Sequence, residues 1–362
     1  MSDFARSVVR WQQRAGRNDL PWQGTRDPYA IWVSEIMLQQ TQVATVVPFY
    51  ARFMARFPDI ATLAAAPLDD VMRLWSGLGY YSRARNLHRA AQLVVSEHGS
   101  VFPGTLAEIE RLPGVGRSTA AAIAGFAFGA RAAILDGNVK RLLARHFLVE
   151  GFPGDRAVEG ELWSLAESLL PKRDVAPYIQ GLMDLGALIC TTRRPGCPRC
   201  PLRATCGALI ADRVDELPAS RPRRKVPTRT TVMAVLRHGG DVLLEKRPAN
   251  GVWGGLWSLP EMATDADLHG TVARRFGCEV RRVDRLAPIR HTFTHFTLDI
   301  APMLIDVDAL TPAATEPGSM WLPLESAATA ALPAPVKRLL VRLAGSALGQ
   351  QASLLEEALQ DL

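Results

Sequence analysis

Two carboxylates, Glu35 and Asp136, stand where acid–base chemistry is expected. In IWVSEIMLQQTQV, Glu35 follows Ile31 by four residues and Trp32 by three, so helical spacing puts it on an apolar face. Burial would raise the pKa of that carboxyl and make it a candidate general acid, whereas a glutamate on the solvent face would have no such role. In ILDGNVKRLL, Asp136 is at a helix N-cap, where backbone amides and the helix dipole favour the anion; capping alone is the structural alternative. Glycosidic bond cleavage requires one group that donates a proton and a second group that stays ionised, and these two carboxylates could supply both.

A second motif, RLPGVGRSTAA (111–121), places two glycines one residue apart before an alanine-rich helical run. Both glycines are expected to take backbone angles that a Cβ would forbid and to leave N–H groups exposed at a helix N-terminus. With TLAEIERL before it, the segment predicts a helix-hairpin-helix at about 106–125. Its hairpin would bind a DNA phosphate. The candidate residues are Leu112, Gly114, Val115 and Gly116. The alternative is a tight interhelical turn with no ligand.

Four of the five cysteines lie within one short loop, 190–206, with the spacing C-x6-C-x2-C-x5-C. They are Cys190, Cys197, Cys200 and Cys206. Four thiolates so close in sequence indicate a metal centre. Structural zinc sites commonly use two C-x2-C pairs, and only one is present, so an iron–sulfur cluster and zinc both stay open on spacing alone.

These groups require a scaffold that is helical over residues 1–211. Apolar periodicity, an Asp27-Pro28 start signal, a possible cap at Thr41 and a stop at Gly99 predict helices joined by short turns. The length of 362 residues favours two domains, and a formal net charge of +6 fits a protein that binds polyanions.

Beyond the helical domain, residues 212–230 hold three prolines and five basic residues between 221 and 229, which indicates a linker. Residues 231–362 then change period. TVMAVLRHGGDVLLEKRP predicts a strand, a turn and a strand, HTFTHFTLDIAPMLIDV one long strand, and APVKRLLVRLAG an amphipathic helix. The second domain is therefore predicted to be a small α/β unit.

Seven motifs together resemble the endonuclease III superfamily of helix-hairpin-helix DNA glycosylases, and within it the MutY family of adenine DNA glycosylases. They are LPWQ, SEIMLQQTQV, GLGYYSRARNL, LPGVGRSTA, ILDGNVKRL, the four-cysteine loop and RHTFTHF. The resemblance covers nearly the whole chain. It implies a multidomain protein with an all-α glycosylase domain, an iron–sulfur cluster loop and a C-terminal α/β Nudix-like domain.

The resemblance also implies an activity: flipping out and excising adenine mispaired with 8-oxoguanine or guanine, in base excision repair. Glu35 would protonate the adenine and Asp136 would stabilise the sugar cation. Asn138 and Ser118 would assist. Bifunctional members carry a lysine at the position of Ser118, and a serine cannot form their Schiff base. The implied enzyme is therefore monofunctional and uses water, although Lys140 could slowly trap the product.

Further residues match positions that contact DNA in the family. Leu20, Trp22 and Gln180 match the adenine pocket. Gln40 and Tyr80 match residues that insert into the base stack near the lesion. For Trp22 and Tyr80, ordinary core packing is the alternative.

The resemblance resolves the cysteine loop in favour of one [4Fe–4S] cluster. In the second domain it assigns lesion recognition to Phe293, Thr294 and His295. The family usually has serine in place of Thr294, and the added methyl group leaves that fit open. The stretch VARRFGCEV lacks the paired glutamates of a Nudix metal helix, so a binding module without pyrophosphatase activity is expected.

Two other functions remain to be weighed: an endonuclease-III-like glycosylase with AP lyase activity, and a non-catalytic or redox-sensing iron–sulfur protein that binds DNA. The expected partner is double-stranded DNA containing A:8-oxoguanine or A:G mispairs, bound by a monomer. The polar N-terminus and the lack of a long apolar run predict no membrane association and a cytoplasmic, nucleoid-associated protein.

Overall fold

The computed structural model describes residues 1–221, 226–248, 251–293, 295–308 and 318–345. Contacts between Cα atoms divide the chain into two units. The first comprises residues 1–68 and 83–223, and the second comprises 69–82 and 224–362. In the described residues no helix has the length and apolar character needed to cross a bilayer.

The first unit is built from α-helices joined by short turns, as predicted. Their bounds are α1 Asp3–Ala15, α2 Pro28–Leu38, α3 Val43–Arg56, α4 Ile60–Ala65, α5 Leu68–Trp75, α6 Ser82–His98, α7 Leu106–Glu110, α8 Arg117–Phe128, α9 Gly137–Phe147, α10 Arg156–Leu169, α11 Val175–Asp184 and α12 Gly207–Ile210. Helix α5 has only its first residue, Leu68, in the first unit; the remainder lies in the segment 69–82, which belongs to the second unit. A π-helical turn, Leu185–Ile189, continues α11.

Local signals account for most helix starts. Asp27 caps α2 by accepting from the Tyr29 amide at 3.0 Å, with Pro28 in the first turn. The predicted cap at Thr41 is wrong. Gln42 is the N-cap of α3 and makes no side-chain cap bond, while the Thr41 hydroxyl accepts from Arg83 at 3.1 Å. A buried guanidinium thus competes successfully for the hydroxyl.

One apolar core holds α1, α8, α9, α10 and α11 together. The approach of α11 to α1 depends on Gly181, where a Cβ would lie 2.7 Å from Cγ1 of Val8 and 3.1 Å from Cβ of Gln12. This close contact brings the polar residues of α1 and α11 to the same side of the candidate site.

The second unit is a mixed sheet with helices. Its elements are β1 Thr228–His238, β2 Asp241–Lys246, β3 Trp257–Ser258, β4 Glu261–Met262, α13 Leu268–Phe276, β5 Glu279–Arg285, β6 Ile289–Thr292, β7 Thr297–Asp308, β8 Ser319–Pro323 and a terminal helix α14 at 334–345. The main path of the sheet is β3-β2-β1-β7-β5; β4 pairs with β1, β6 with β7 and β8 with β2. Strands β1 and β7 are parallel.

The predicted hairpin of β1 and β2 is present, with His238 paired to Asp241. The predicted single strand over HTFTHFTLDIAPMLIDV is wrong, because the chain reverses between β6 and β7. Thr292 pairs with Thr297, and the Phe293 amide donates to the Phe296 carbonyl at 2.8 Å. The residues on each side of the turn have the strand-like composition of a single strand, so the sequence pattern concealed the reversal.

Candidate active site

Glu35 lies on α2, a helix surrounded by protein. Eight of the other residues of α2 are buried, and Glu35 is half-buried with its side chain lining a pocket. Burial raises its pKa to about 8, and the nearby negative charge of Asp136 adds to the rise. The solvent-face alternative is therefore excluded, and Glu35 has the protonation behaviour of a general acid near neutral pH.

Asp136 is the N-cap of α9, and its Oδ1 accepts from the Val139 amide at 2.8 Å. Burial raises the pKa of Asp136 above its ordinary value, a contribution that the N-cap pattern does not contain. Hydrogen bonds from Val139 and Asn138 and the positive charge of Arg141 lower it, but they do not outweigh burial. These compensating contacts favour ionisation of Asp136 over that of Glu35, for which burial and a neighbouring anion act in the same direction.

Ser118 and Asn138 lie around Asp136. The Ser118 hydroxyl accepts from the amide of Leu135 at 3.0 Å, so the first turn of α8 holds the chain that leads into Asp136. Oδ1 of Asn138 accepts from Arg141 at 2.8 Å, and the same guanidinium donates to the Gly186 carbonyl at 2.6 Å. Ser118 therefore fixes the backbone just before Asp136, and Asn138 donates to the Asp136 carboxylate.

The pocket beside Glu35 has a volume of about 610 Å³, which is in the range of small-molecule sites. Trp22 and Gln180, which the resemblance assigns to an adenine pocket, line it. Trp22 is also packed edge-on against Tyr50, with ring centroids 5.3 Å apart, so this tryptophan both lines the pocket and contributes to core packing. Leu20 is not among the lining residues but belongs to the same loop, where its amide donates to Gln23 at 3.1 Å.

Several lining residues went unnoticed in the sequence. They include Gln12, Asn18, Arg26, Phe126, Lys172 and Arg173. The fully buried Asp184, which is bonded to Gln180, was also missed. The available signal for Asp184 was a single charge inside the apolar run GLMDLGALI. The other lining residues are brought together only when α1, α8 and α11 pack against one another in the folded protein, so the sequence carries no signal for them.

The predicted hairpin connects α7 to α8. Gly114 has φ +82°, and a Cβ there would lie 2.8 Å from Cβ of Asn86, as expected. The expectation for Gly116 is wrong, because its φ of −102° is open to any residue and no atom lies within 4 Å of a Cβ built on it. Gly116 instead leaves space at the start of α8, whose N-cap makes no side-chain bond in the described structure. Leu112 and Val115 are buried and anchor the hairpin.

The two residues matched to stack insertion are exposed and have left-handed backbones. Gln40 has φ +57°, and Tyr80 has φ +47° with 51% of its surface exposed. The loop that carries Gln40 is held by the buried Arg83, which donates to the carbonyls of Ile36, Met37 and Gln39. The core-packing alternative is therefore excluded for Tyr80.

All four cysteines of the loop line one small apolar cavity with Leu142, His146 and Ile189. Arg145, which is buried, donates to the carbonyls of Thr191 and Thr192 and lies 3.4 Å from Sγ of Cys190. Among the residues that the structure describes, no three histidine, cysteine or acidic side chains are grouped closely enough to hold one metal ion. The loop thus brings the four thiols to one cavity.

In the second unit, Phe293 and His295 lie in the turn between β6 and β7. Phe293 stacks on Phe296 at 4.7 Å between ring centroids and contacts Trp253 and His291, whereas His295 is exposed. The third predicted member, Thr294, lies outside the described residues. An aromatic cluster therefore supports the turn and presents the imidazole outward.

Comparisons with known proteins match both units. Residues 33–168 match the HhH-GPD superfamily of base excision DNA repair proteins, and residues 231–342 match the NUDIX domain. An adenine DNA glycosylase of Buchnera aphidicola subsp. Baizongia pistaciae is 35% identical over 341 residues, covering 94% of this chain and 96% of the relative. The human adenine DNA glycosylase is 34% identical, with 92% of this chain and 73% of the relative covered.

Solved structures agree for the helical unit. A thermostable thymine-DNA glycosylase superposes with a TM-score of 0.52 at 31% identity, covering 57% of this chain and 95% of its own. Endonuclease III in a non-covalent DNA complex gives a TM-score of 0.50 at 22% identity, covering 58% and 94%, which shows the shared fold.

Proposed function

The chain belongs to the adenine DNA glycosylase family, whose members act in base excision repair, and from this premise we propose that it removes adenine paired with 8-oxoguanine or guanine by acid-assisted hydrolysis. The observation that carries the proposal is Glu35, a carboxyl whose pKa is raised to about 8, in a pocket wide enough for a flipped nucleotide. The predicted fold class and the enzyme class are confirmed by the comparisons.

Glu35, which lines the pocket, and Asp136, whose charge acts on it, would divide the work of breaking the N-glycosidic bond. Protonated Glu35 donates its proton to a ring nitrogen of adenine, so that the bonding electron pair leaves with a neutral base. The deoxyribose carbon is left as an oxocarbenium ion, which ionised Asp136 stabilises electrostatically. Water then adds to that carbon and loses a proton, giving adenine and an abasic site. Asn138 and Ser118 hold Asp136 in place.

Strand cleavage is not expected, because the amine that it requires is missing from α8. Ser118 accepts a hydrogen bond from Leu135 and has no nucleophilic nitrogen. The nearest lysine in the sequence, Lys140, is paired with Glu159 at 2.7 Å, which holds its amine away from free attack. This argues against the lyase alternative, and the pocket with Glu35 argues against a non-catalytic DNA-binding protein.

DNA would be held by the backbone of the hairpin and by wedges in the base stack. The uncapped start of α8 at Gly116 offers its N–H groups to a phosphate. Exposed Gln40 and Tyr80 would fill the space left by the extruded base and offset the cost of unstacking. We also propose that Phe293, Thr294 and His295 recognise the lesion. The protein would act as a monomer with a cytoplasmic, nucleoid-associated location. Its two domains would comprise residues 1–211 and 231–362, joined by a linker at 212–230.

The cysteine loop fits one [4Fe–4S] cluster held by Cys190, Cys197, Cys200 and Cys206. A cluster takes one thiolate on each iron, and the four thiols that line one cavity supply that number of ligands. When bound, it would supply cross-links that order the loop and its basic residues against DNA. Elemental analysis of the purified protein should find four iron and four sulfide per chain. One zinc without sulfide would show the alternative metal.

The function is tested by single-turnover base release from duplexes containing A opposite 8-oxoguanine, G, C or T, with hot alkali to reveal abasic sites. We expect release opposite 8-oxoguanine and G only, and no strand cleavage before alkali. Efficient covalent trapping by borohydride on abasic DNA would favour the lyase alternative. No release from any duplex by wild-type protein would refute the proposal.

A further inference from the structure

We propose that Asp184 is a positioning residue that sets the direction of the Gln180 amide and thereby makes the pocket select a purine with an amino group at C6. The inference rests on the proposed function, since it assumes that a flipped purine enters the pocket lined by Gln180 and Glu35.

Asp184 is a carboxylate with no solvent exposure at the end of α11. Its Oδ2 accepts from the Arg17 backbone amide at 2.8 Å, and its Oδ1 accepts from Nε of Arg17 at 2.7 Å. The ion pair and the two hydrogen bonds compensate for the burial of the charge and keep the carboxylate fixed. Asp184 is therefore an acceptor that cannot turn away.

Gln180 lies one helical turn earlier on α11, and its Nε2 donates to Oδ1 of Asp184 at 3.0 Å. A carboxylate can only accept, so it can pair with the amide nitrogen of Gln180 but not with the carbonyl oxygen. The Gln180 carbonyl is consequently directed away from Asp184 and towards the pocket. Without that constraint, the two ends of the amide are nearly equivalent in shape and either could face the ligand.

The direction of the amide decides which base is bound best. A carbonyl accepts a hydrogen bond from the exocyclic amino group of adenine, whereas the carbonyl of hypoxanthine at the same position would be repelled. A site with a buried polar group discriminates strongly against a ligand that leaves the group unpaired. Hypoxanthine matches adenine in shape but differs at both C6 and N1, which carries a proton, so the contact with Gln180 is isolated by repeating the comparison in a Gln180→Leu background.

The test uses the full-length protein and duplexes that carry adenine or hypoxanthine opposite 8-oxoguanine. The measured quantity is the ratio of the two single-turnover excision rates. Asp184→Asn offers an amide that can donate to the Gln180 carbonyl, so Gln180 can rotate its nitrogen into the pocket. We expect the ratio to fall by roughly 10-fold or more, as for the loss of one specific base contact. Asp184→Glu keeps a carboxylate and should retain the preference for adenine even if the protein is less stable.

A double-mutant cycle separates positioning from a structural role. In a Gln180→Leu background, Asp184→Asn should leave the ratio unchanged, because no amide remains to be turned. The proposal is overturned if Asp184→Asn lowers both rates equally in wild type, or if it changes the ratio by the same factor in the Gln180→Leu background.

A readout independent of activity keeps the outcome separate from that of the proposed function. The side-chain NH₂ signals of Gln180 are assigned in a ¹⁵N spectrum by their loss in Gln180→Leu. Asp184→Asn should shift them and speed their exchange with water, and unchanged signals would also refute the positioning role. If wild type released no adenine while these signals moved as expected, the proposed function would fail and the contact between Asp184 and Gln180 would stand.

Discussion

At the scale of single residues, the protonation of Glu35 should control the pH dependence of base release. The acid form is the active one, and its pKa is raised to about 8, chiefly by burial. The single-turnover rate is therefore expected to be nearly flat around neutral pH and to fall about tenfold per pH unit well above 8. DNA binding by Glu35→Gln, measured over the same range, controls for changes in affinity. A rate that declines already from pH 5 would contradict the assignment of Glu35 as the acid.

The same group should destabilise the fold at neutral pH. Glu35 has a folded-state pKa raised from 4.5 to about 8, so between these values the folded state holds more protons than the unfolded state and stability falls as pH rises. Glu35→Gln removes this penalty. We expect loss of adenine excision together with an increase of roughly 1–3 kcal/mol in unfolding free energy at pH 7, vanishing below pH 4.5.

Chemical denaturation of Glu35→Gln and wild type at pH 4 and pH 7 measures that difference. If Glu35→Gln and wild type had the same unfolding free energy at pH 4 and again at pH 7, Glu35 would be ionised and well solvated in the folded protein.

The sequence predicted the two carboxylates but not the electrostatics around Asp136. The N-cap pattern correctly located Asp136 at the start of α9. The direction of its pKa shift depends on burial by side chains distant in sequence, which a local pattern does not contain. Asp184 was missed for the same reason: its partners Arg17 and Gln180 become informative only when α1 and α11 are packed together.

At the scale of elements, the two hairpin glycines have different roles that a matched pair of variants can separate. Gly114→Ala forces a left-handed backbone on alanine and crowds Asn86, so it should cost about 1–3 kcal/mol of stability from conformation alone. Gly116→Ala has an ordinary φ and open space, so it should cost at most about 1 kcal/mol through the weaker N-cap. Its Cβ would instead obstruct a phosphate at the start of α8.

The measurements are unfolding free energy and the dissociation constant for a duplex at one fixed salt concentration. We expect Gly114→Ala to lose mainly stability and Gly116→Ala to lose mainly affinity. Normal DNA affinity in Gly116→Ala would mean that the hairpin is only a turn between helices.

Elements with strong local signals were predicted well, and those defined by pairing were not. Asp27-Pro28 and Gly99 marked helix ends correctly because capping is local. The break between β6 and β7 was missed, since the residues on each side of the turn have the composition of a strand and no glycine or proline separates them. The pairing of Thr292 with Thr297 is an interaction between two strands, which the local hydrophobic pattern of the sequence does not contain.

At the scale of the whole molecule, adenine is a normal base, so a pocket that recognises adenine alone would also attack A·T pairs. Selectivity must therefore include the opposite base, which lies outside the adenine pocket. 8-Oxoguanine differs from guanine at one carbonyl and one N–H, features that a small hydrogen-bonding loop can distinguish, with roughly 1–3 kcal/mol per good contact. The second unit offers a turn in which an aromatic cluster around Phe293 supports the exposed His295.

The combined change Thr294→Ala and His295→Ala should therefore reduce the preference for A opposite 8-oxoguanine over A opposite G, with little effect on excision opposite G. The matched control is His269→Ala, which removes an exposed imidazole from α13 of the same unit. The ratios of single-turnover rates and of dissociation constants on the two duplexes are compared at constant salt. A control that lowers the ratios as much as the double variant would point to a general effect of removing an exposed imidazole from this unit. Ratios equal to wild type in the double variant would place lesion reading elsewhere in the chain, because the hydroxyl of Thr294 and the imidazole of His295 would then contribute nothing to the choice of the opposite base.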